Sequence, residues 1–315
     1  MVERKMEKSM EEMDLEYIAN SDLEWSKYKN KTIFVTGATG LIGSLLVKAF
    51  AYYNCLHQGN IKIIGLIRNE EKAKRIYGKW YNNYGIHLMI GDIEQIPVIA
   101  GDVDYIFHTV SITASKMMVQ HPVLTIQTSY MGTKNVYGIP DEKKEYITEK
   151  DLGYIELENV RSSYSEGKRI CECLCNAYAA EFGLPVKSAR LAQTFGAGVL
   201  QEDNRVYAQF ARSAMKKENL VLRTDGSSEG NYCYTRDVVN EKSHMTIREM
   251  AELVANDVSN GEIKVEFDIP DEAKSLGYAP KVKMHLSSEK LNKLGWKAEV
   301  DMKEAYLRMM NDMEA

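Results

Sequence analysis

The sequence predicts an α/β protein: a doubly wound parallel sheet followed by a smaller α/β lobe toward the C-terminus. Three observations carry that expectation. Short apolar, β-branched runs alternate with helical stretches through the first half of the chain. The first of these runs passes directly into a turn with regularly spaced glycines. Beyond Gly196 the alternation of strand and helix loosens, as a second, differently built lobe would require. Composition agrees: 315 residues, 44% hydrophobic and 27% charged, bound one large or two unequal globular domains and exclude a disordered or low-complexity chain. The net charge of -5 offers no basic field for nucleic acid, so any phosphate has to be gripped locally.

Taken in order, residues 10–29 read as a helical leader with a polar face. The run Thr32-Ile33-Phe34-Val35 is the first strand, and Ser44 to Tyr53 the helix after its glycine turn. Ile61 to Ile67 is the second strand, with a polar helix from Asn69; His87 to Ile90 is the third and Val103 to His108 the fourth. Pro122 to Val136 reads as a helix, 137–163 as polar and turn-rich, Tyr164 to Phe182 as a long helix and Val186 to Leu191 as a further strand. Helices are expected over Val206 to Lys217, Thr246 to Asn256 and Asp301 to Met313. The implied organisation is a leader over 1–30, a dinucleotide-binding domain over 31–195 and a substrate lobe over 196–315. The N-terminus mixes both charge signs and lacks an apolar core, and no run of 18 apolar residues occurs, so a cytoplasmic protein without signal peptide or membrane span is expected. Five cysteines are too few for a disulfide framework. Cys171, Cys173 and Cys175 would splay around a helix turning about 100° per residue, so no metal site is expected there.

Gly37, Gly40 and Gly43 follow a strand and open a helix, the Rossmann-type arrangement that binds a dinucleotide. One glycine permits the tight turn, one lets backbone amides approach a pyrophosphate, and one allows close packing of helix on sheet, with the helix N-terminus facing the anion. Cofactor choice is set near the end of the second strand, where an acid accepts from a ribose hydroxyl or an arginine pairs with a 2'-phosphate. Arg68 stands there with Glu70 and Glu71 just beyond, so NAD and NADP both remain open. Asp92, after the third strand, is placed to accept from the adenine amino group or to cap a strand-end turn.

Tyr164 and Lys168 are four residues apart, neighbours on one face of a helix. A lysine ammonium there favours phenolate, lowering the tyrosine toward working pH, and can also bond the nicotinamide ribose. The expected chemistry is removal of a proton from a substrate hydroxyl by Tyr164 as hydride leaves the carbon for the nicotinamide.

The segments TGATGLIG, GDI, HTVSITASK, GTKNV, RSSYSEGKR, RLAQTFGAG and LSSEKLNKLGWK resemble the extended short-chain dehydrogenases/reductases of the nucleotide-sugar epimerase/dehydratase family. The stretches from Arg161 to Arg169 and from Asp203 to Val206 are most similar to UDP-glucuronate decarboxylases and their dehydratase relatives. The resemblance covers the chain from about Lys31 onward. It implies that Gly37, Thr39, Gly40, Leu41, Ile42, Gly43, Arg68, Asp92, Ile93, Thr109 and Lys168 contact the cofactor and that Tyr164 is the catalytic base. It also implies that Gln193, in place of the usual Asn, reaches the sugar diphosphate with Arg205, and that the enzyme is a homodimer built on 122–136 and 164–182. The implied reaction is redox-neutral, with transient oxidation of the sugar at C4 permitting epimerisation, dehydration or decarboxylation. An NADPH-dependent ketoreductase and a non-catalytic dinucleotide-binding protein are the alternatives.

The chain departs from the family pattern in three places. Val136 meets Tyr137 where relatives continue through a helix and a buried strand ending in Ser or Thr, so the catalytic hydroxyl is missing from this sequence. A comparable skip falls between Val239 and Asn240. Gly230 stands where many relatives place a diphosphate-binding arginine.

Overall fold

A computed structural model describes residues 8–93, 95–111, 120–130, 148, 155–160, 162–237, 240–269 and 283–314. The chain forms two compact units, one of Glu12–Val136 with Ile155–Arg190 and one built on Leu191–Ala315. Both sequence skips, at 136/137 and 239/240, involve residues outside the described ones.

In the first unit β1 (Thr32–Thr36), β2 (Lys62–Ile67), β3 (Ile86–Ile90) and β4 (Tyr105–His108) form a parallel sheet in the order β3-β2-β1-β4. Val35 lies opposite Gly65 on one side and Phe107 on the other. Successive side chains of a strand point to opposite faces. Ile33 and Val35 therefore join one buried cluster, with Val47, Phe50 and Ala51 of α2 (Leu41–His57), while Phe34 packs with Ile64 and Leu66 on the other face. Burial on both faces is what the uninterrupted apolar strands require. Asn69 caps α3 (Glu70–Tyr77) by accepting from the Lys72 amide.

Two sequence expectations fail in this unit. The leader helix α1 spans only Met10–Ala19, because Asn20 Nδ2 donates to the Glu16 carbonyl and Ser21 Oγ to the Ile18 carbonyl, satisfying the last turn with side chains. The chain then turns inward so that Trp25 stacks on Tyr53 with ring centroids 4.2 Å apart. The run Val186 to Leu191 is not a strand. Among the described residues β4 pairs with β1 alone, leaving no described neighbour for a further strand. Arg190 instead forks onto Glu172 of α5 (Ser162–Phe182), with Nε and Nη2 at 3.0 and 2.8 Å from its two oxygens, which ties the end of the run to that helix. Helix α4 (Pro122–Tyr130) packs against α5.

The second unit carries β5 (Gln193–Phe195), α6 (Val206–Lys216), β6 (Leu220–Leu222), β7 (Glu229–Tyr234) and β8 (His244–Thr246). It continues with α7 (Ile247–Leu253), β9 (Val265–Phe267), α8 (Glu289–Asn292) and α9 (Met302–Glu314). β5 runs parallel to β7, which pairs antiparallel with β8, while β6 and β9 form a separate parallel pair. Thr246 and Glu249 close a reciprocal capping box on α7, and the expected helix continues past Leu253 as a π-helical turn over Val254–Val258. Phe195 packs on Tyr207 and Tyr306 at 5.0 and 5.2 Å between centroids, joining β5, α6 and α9. Asp312 accepts from the Glu11 amide at 3.2 Å and the Gly198 amide at 2.8 Å, one through each oxygen. Among the described residues no helix is long and apolar enough to cross a membrane, and none of the five cysteines is in a disulfide.

A candidate dinucleotide and proton-transfer site

The turn after β1 separates its glycines by what each side chain would meet. Gly37 has φ +67°, and a Cβ there would stand 2.9 Å from the Val110 amide nitrogen. At Gly43 a Cβ would be 2.3 Å from the Gly37 carbonyl oxygen and 2.7 Å from Thr109 Oγ1. These two are glycine because the protein's own backbone fills the space. Gly40 differs: its only near neighbour would be the Gly37 oxygen at 3.3 Å, so its Cα faces open space. Gly40 is also the N-cap of α2 and supplies no side-chain hydrogen bond, which leaves the first-turn amides for an outside acceptor. An open glycine beside uncapped amides at a helix N-terminus fits a diphosphate. Leu41, Ile42 and Gly43 form that first turn, and Thr39 precedes it.

Thr109 holds the end of β4 against this turn. Its Oγ1 donates to the Thr36 carbonyl at 2.8 Å, while Thr36 Oγ1 bonds His108 Nδ1 at 2.7 Å. Arg68 is 83% exposed and lies 3.9 Å from Asp92, itself bridged to Gln95 beside Ile93. The pair sits at the ends of β2 and β3, where an adenosine ribose would lie.

Tyr164 and Lys168 share a face of α5 in the same unit, with Lys168 Nζ 5.3 Å from the centroid of the tyrosine ring. Lys168 has 0% exposure, a rare state for a lysine. The expected lowering of the phenol is not what the fold provides: burial pushes Tyr164 above its ordinary value of 10, and only the Ser111 hydroxyl pulls the other way. Taking the phenolate out of water is the larger of the two influences. Ser111 was not among the sequence candidates, since nothing local in HTVS distinguishes a serine that meets a helix far along the chain.

In the second unit Gln193 is exposed on β5 opposite Tyr232 of β7. A Cβ at Gly230 would stand 3.6 Å from Gln193 Nε2, ordinary contact, so space for a side chain exists where the sequence has none. Arg205 is engaged by Asp203, with Nε 3.0 and 2.9 Å from the two carboxylate oxygens, and its guanidinium lies 4.9 Å from the Tyr207 ring centroid. Among the described residues no cluster of His, Cys, Asp and Glu is spaced to hold a metal.

The sequence profile described as the NAD dependent epimerase/dehydratase family matches residues 33–137 and 125–252. The chain belongs to that family. As a member it is an enzyme whose cofactor is NAD. UDP-glucuronic acid decarboxylase 6 of Arabidopsis thaliana is 26% identical, with 93% of this chain and 92% of the relative covered. UDP-glucuronic acid decarboxylase 1 of Xenopus tropicalis is 27% identical over 76% of this chain and 62% of its own. Among solved structures, a UDP-glucose 4-epimerase from Thermotoga maritima with UDP-glucose superposes with a TM-score of 0.70 at 17% identity, covering 90% of this chain and 98% of that one. A UDP-glucuronic acid 4-epimerase from Bacillus cereus, in complex with UDP-glucuronic acid and NAD, gives 0.66 at 15% identity, covering 90% and 99%. The profile match divides in two around 125–137, the place of the first skip. The Arabidopsis alignment runs over 329 positions, more than this chain's 315 residues although it takes in 93% of them, so the relative carries residues that have no counterpart here.

Proposed function

We propose that this protein transforms a nucleotide-linked sugar by transient oxidation at C4, with no net consumption of cofactor. The observation that carries the reading is Tyr164 and a wholly buried Lys168 on one helix face, in the same unit as an open glycine turn. The turn at 37–43 and the Arg68–Asp92 end of the sheet are the cofactor contacts in this reading, with Thr109 as their brace. NAD, when bound, accepts the C4 hydride and later returns it. Tyr164 takes the C4 hydroxyl proton, Lys168 holds the ribose and supports the phenolate, and Gln193 and Arg205 serve the diphosphate. In a uronic acid the resulting C4 ketone lies β to the carboxylate, so carbon dioxide can leave with its bonding electrons passing to C5, which then takes a proton. The decarboxylase names of the curated relatives make UDP-glucuronic acid the first substrate to try.

The reading includes a cytoplasmic homodimer. Its support is the apolar surface that α4 and α5 leave uncovered: Val123, Leu124 and Ile126 on one helix, Ile170, Tyr178 and Phe182 on the other. The test is incubation with UDP-glucuronic acid and NAD, followed by proton NMR of the anomeric signals. A UDP-linked pentose formed without stoichiometric NADH supports the proposal. In a parallel incubation with NADPH, one reduced nicotinamide consumed per product would make the enzyme a ketoreductase, and cofactor binding with no sugar turned over in either would make it a non-catalytic binding protein.

A further inference from the structure

We infer that Tyr77 is a positioning residue for NAD binding: from the end of α3 its phenol fixes one peptide of the glycine turn so that the Thr39 amide faces the ligand. The inference rests on the reading of the turn at 37–43 as the diphosphate contact. Its first support is how firmly Ala38 is held. The Tyr77 hydroxyl donates to the Ala38 carbonyl at 2.5 Å, and both residues are buried, at 1% and 0% exposure. The Ala38 amide donates to the Leu66 carbonyl of β2 at 3.3 Å. The Ala38 methyl lies so near β2 that a Cβ at Gly65 would stand 3.1 Å from it. Ala38 is thus tied to β2 through its amide and to α3 through its carbonyl, all within the first unit.

The second support is what a fixed carbonyl does to the next amide. In a trans peptide the C=O and the following N–H share one plane and point in opposite directions. With the Ala38 carbonyl drawn inward to a buried phenol, the Thr39 N–H is turned the other way, out over the turn. The amides on either side are spent within the protein, that of Ala38 on Leu66 and that of Gly40 on the Gly37 carbonyl at 2.9 Å. Among the described residues the Thr39 amide meets no acceptor. It stands beside Gly40, whose Cα faces open space, so a phosphate oxygen can reach it. Without the phenol a buried carbonyl would lack its donor, and a flip of the 38–39 peptide would relieve that cost by turning the carbonyl out and the Thr39 amide in. The hydroxyl therefore holds the peptide in the direction an anion needs.

The experiment reads NAD binding and the peptide itself. Tyr77→Phe removes the hydroxyl and keeps the ring. By titration calorimetry its Kd for NAD should rise about tenfold or more, the loss of one hydrogen bond to a charged group. At saturating NAD its kcat should stay within about twofold, since Tyr164 and Lys168 are untouched. Ala73→Gly, at a buried position on the same helix, weakens α3 while keeping the hydroxyl, and should leave the Kd within about twofold. The dipeptide Ala-Thr occurs once in the chain, so carbon-13 at the alanine carbonyls with nitrogen-15 in threonine gives one correlated NMR signal, that of the 38–39 peptide. Without NAD, that signal should move in Tyr77→Phe and hold in Ala73→Gly. If Tyr77→Phe does not fold, the wild type carries the test: NAD should shift the Thr39 nitrogen, and an unmoved signal overturns the inference. Wild-type NAD affinity in Tyr77→Phe, or an equal loss in Ala73→Gly, also overturns it. Should Gly40→Ala bind NAD as wild type does, it is the reading of the turn that fails; if Gly40→Ala is weakened and Tyr77→Phe is not, only the role of Tyr77 fails.

Discussion

Gly40 and Gly43 look alike in sequence and should behave oppositely when each is replaced by alanine. At Gly43 the new Cβ would lie 2.3 Å from a backbone oxygen and 2.7 Å from Thr109 Oγ1, and neither belongs to a flexible side chain that can swing away. Overpacking of this kind costs about 3 kcal/mol, against which alanine returns about 1 kcal/mol of helix propensity, leaving a loss of about 2 kcal/mol. For a unit of this size the melting temperature should fall by about 4–8 °C. At Gly40 the closest approach is 3.3 Å and the residue is a cap, so alanine should cost no more than about 1 kcal/mol. A methyl group over the first-turn amides should nevertheless weaken NAD by about tenfold or more, because the phosphates need those amides directly. Differential scanning fluorimetry reads the first effect and titration calorimetry with NAD the second. A Gly43→Ala protein melting with wild type, or a Gly40→Ala protein binding NAD within about twofold of wild type, would refute the division of roles.

Tyr164→Phe should reduce turnover at least about a hundredfold with NAD affinity held within about twofold, seen by comparing rates with calorimetry. Lys168→Met should lower NAD affinity about tenfold or more as well as the rate, since a charged hydrogen bond is lost; unchanged affinity would count against its ribose contact. Burial pushes the Asp203 carboxyl up, but the Arg205 guanidinium and amide outweigh it and hold the group below its ordinary 3.8. Its contribution to stability is therefore complete above that value and is lost as pH falls through the lowered one, so Asp203→Asn should flatten the melting temperature between about pH 5 and 2. Phe182→Glu, at a position 61% exposed on α5, should convert a sedimenting dimer to monomer; wild type sedimenting only as monomer would remove the interface instead.

What was legible in the sequence was what is encoded locally. The turn at 37–43 follows from glycine spacing after an apolar strand, and the pairing of Tyr164 with Lys168 follows from helical periodicity alone. The strand misread at Val186 to Leu191 has β-like residues, but a strand exists only beside another, and periodicity carries no information about that neighbour. The leader was read too long because Asn20 and Ser21 are tolerable inside a helical pattern, and only their hydrogen bonds to Glu16 and Ile18 reveal them as a stop. The direction of the Tyr164 shift was missed for a related reason: a neighbouring cation is visible in sequence, and the depth of burial is not.

The two oxygens of Asp312 also set an order in time. The unit with the glycine turn is complete in sequence once Arg190 has been synthesised, whereas the other gathers Glu11, Gly198 and a carboxylate on α9. At about 5–20 residues per second, the ribosome needs on the order of ten seconds to travel from Arg190 to α9. Throughout that interval the carboxylate that the Glu11 and Gly198 amides both meet is not yet part of the chain. The group that joins Glu11 to Gly198 is thus among the last of its unit to be made.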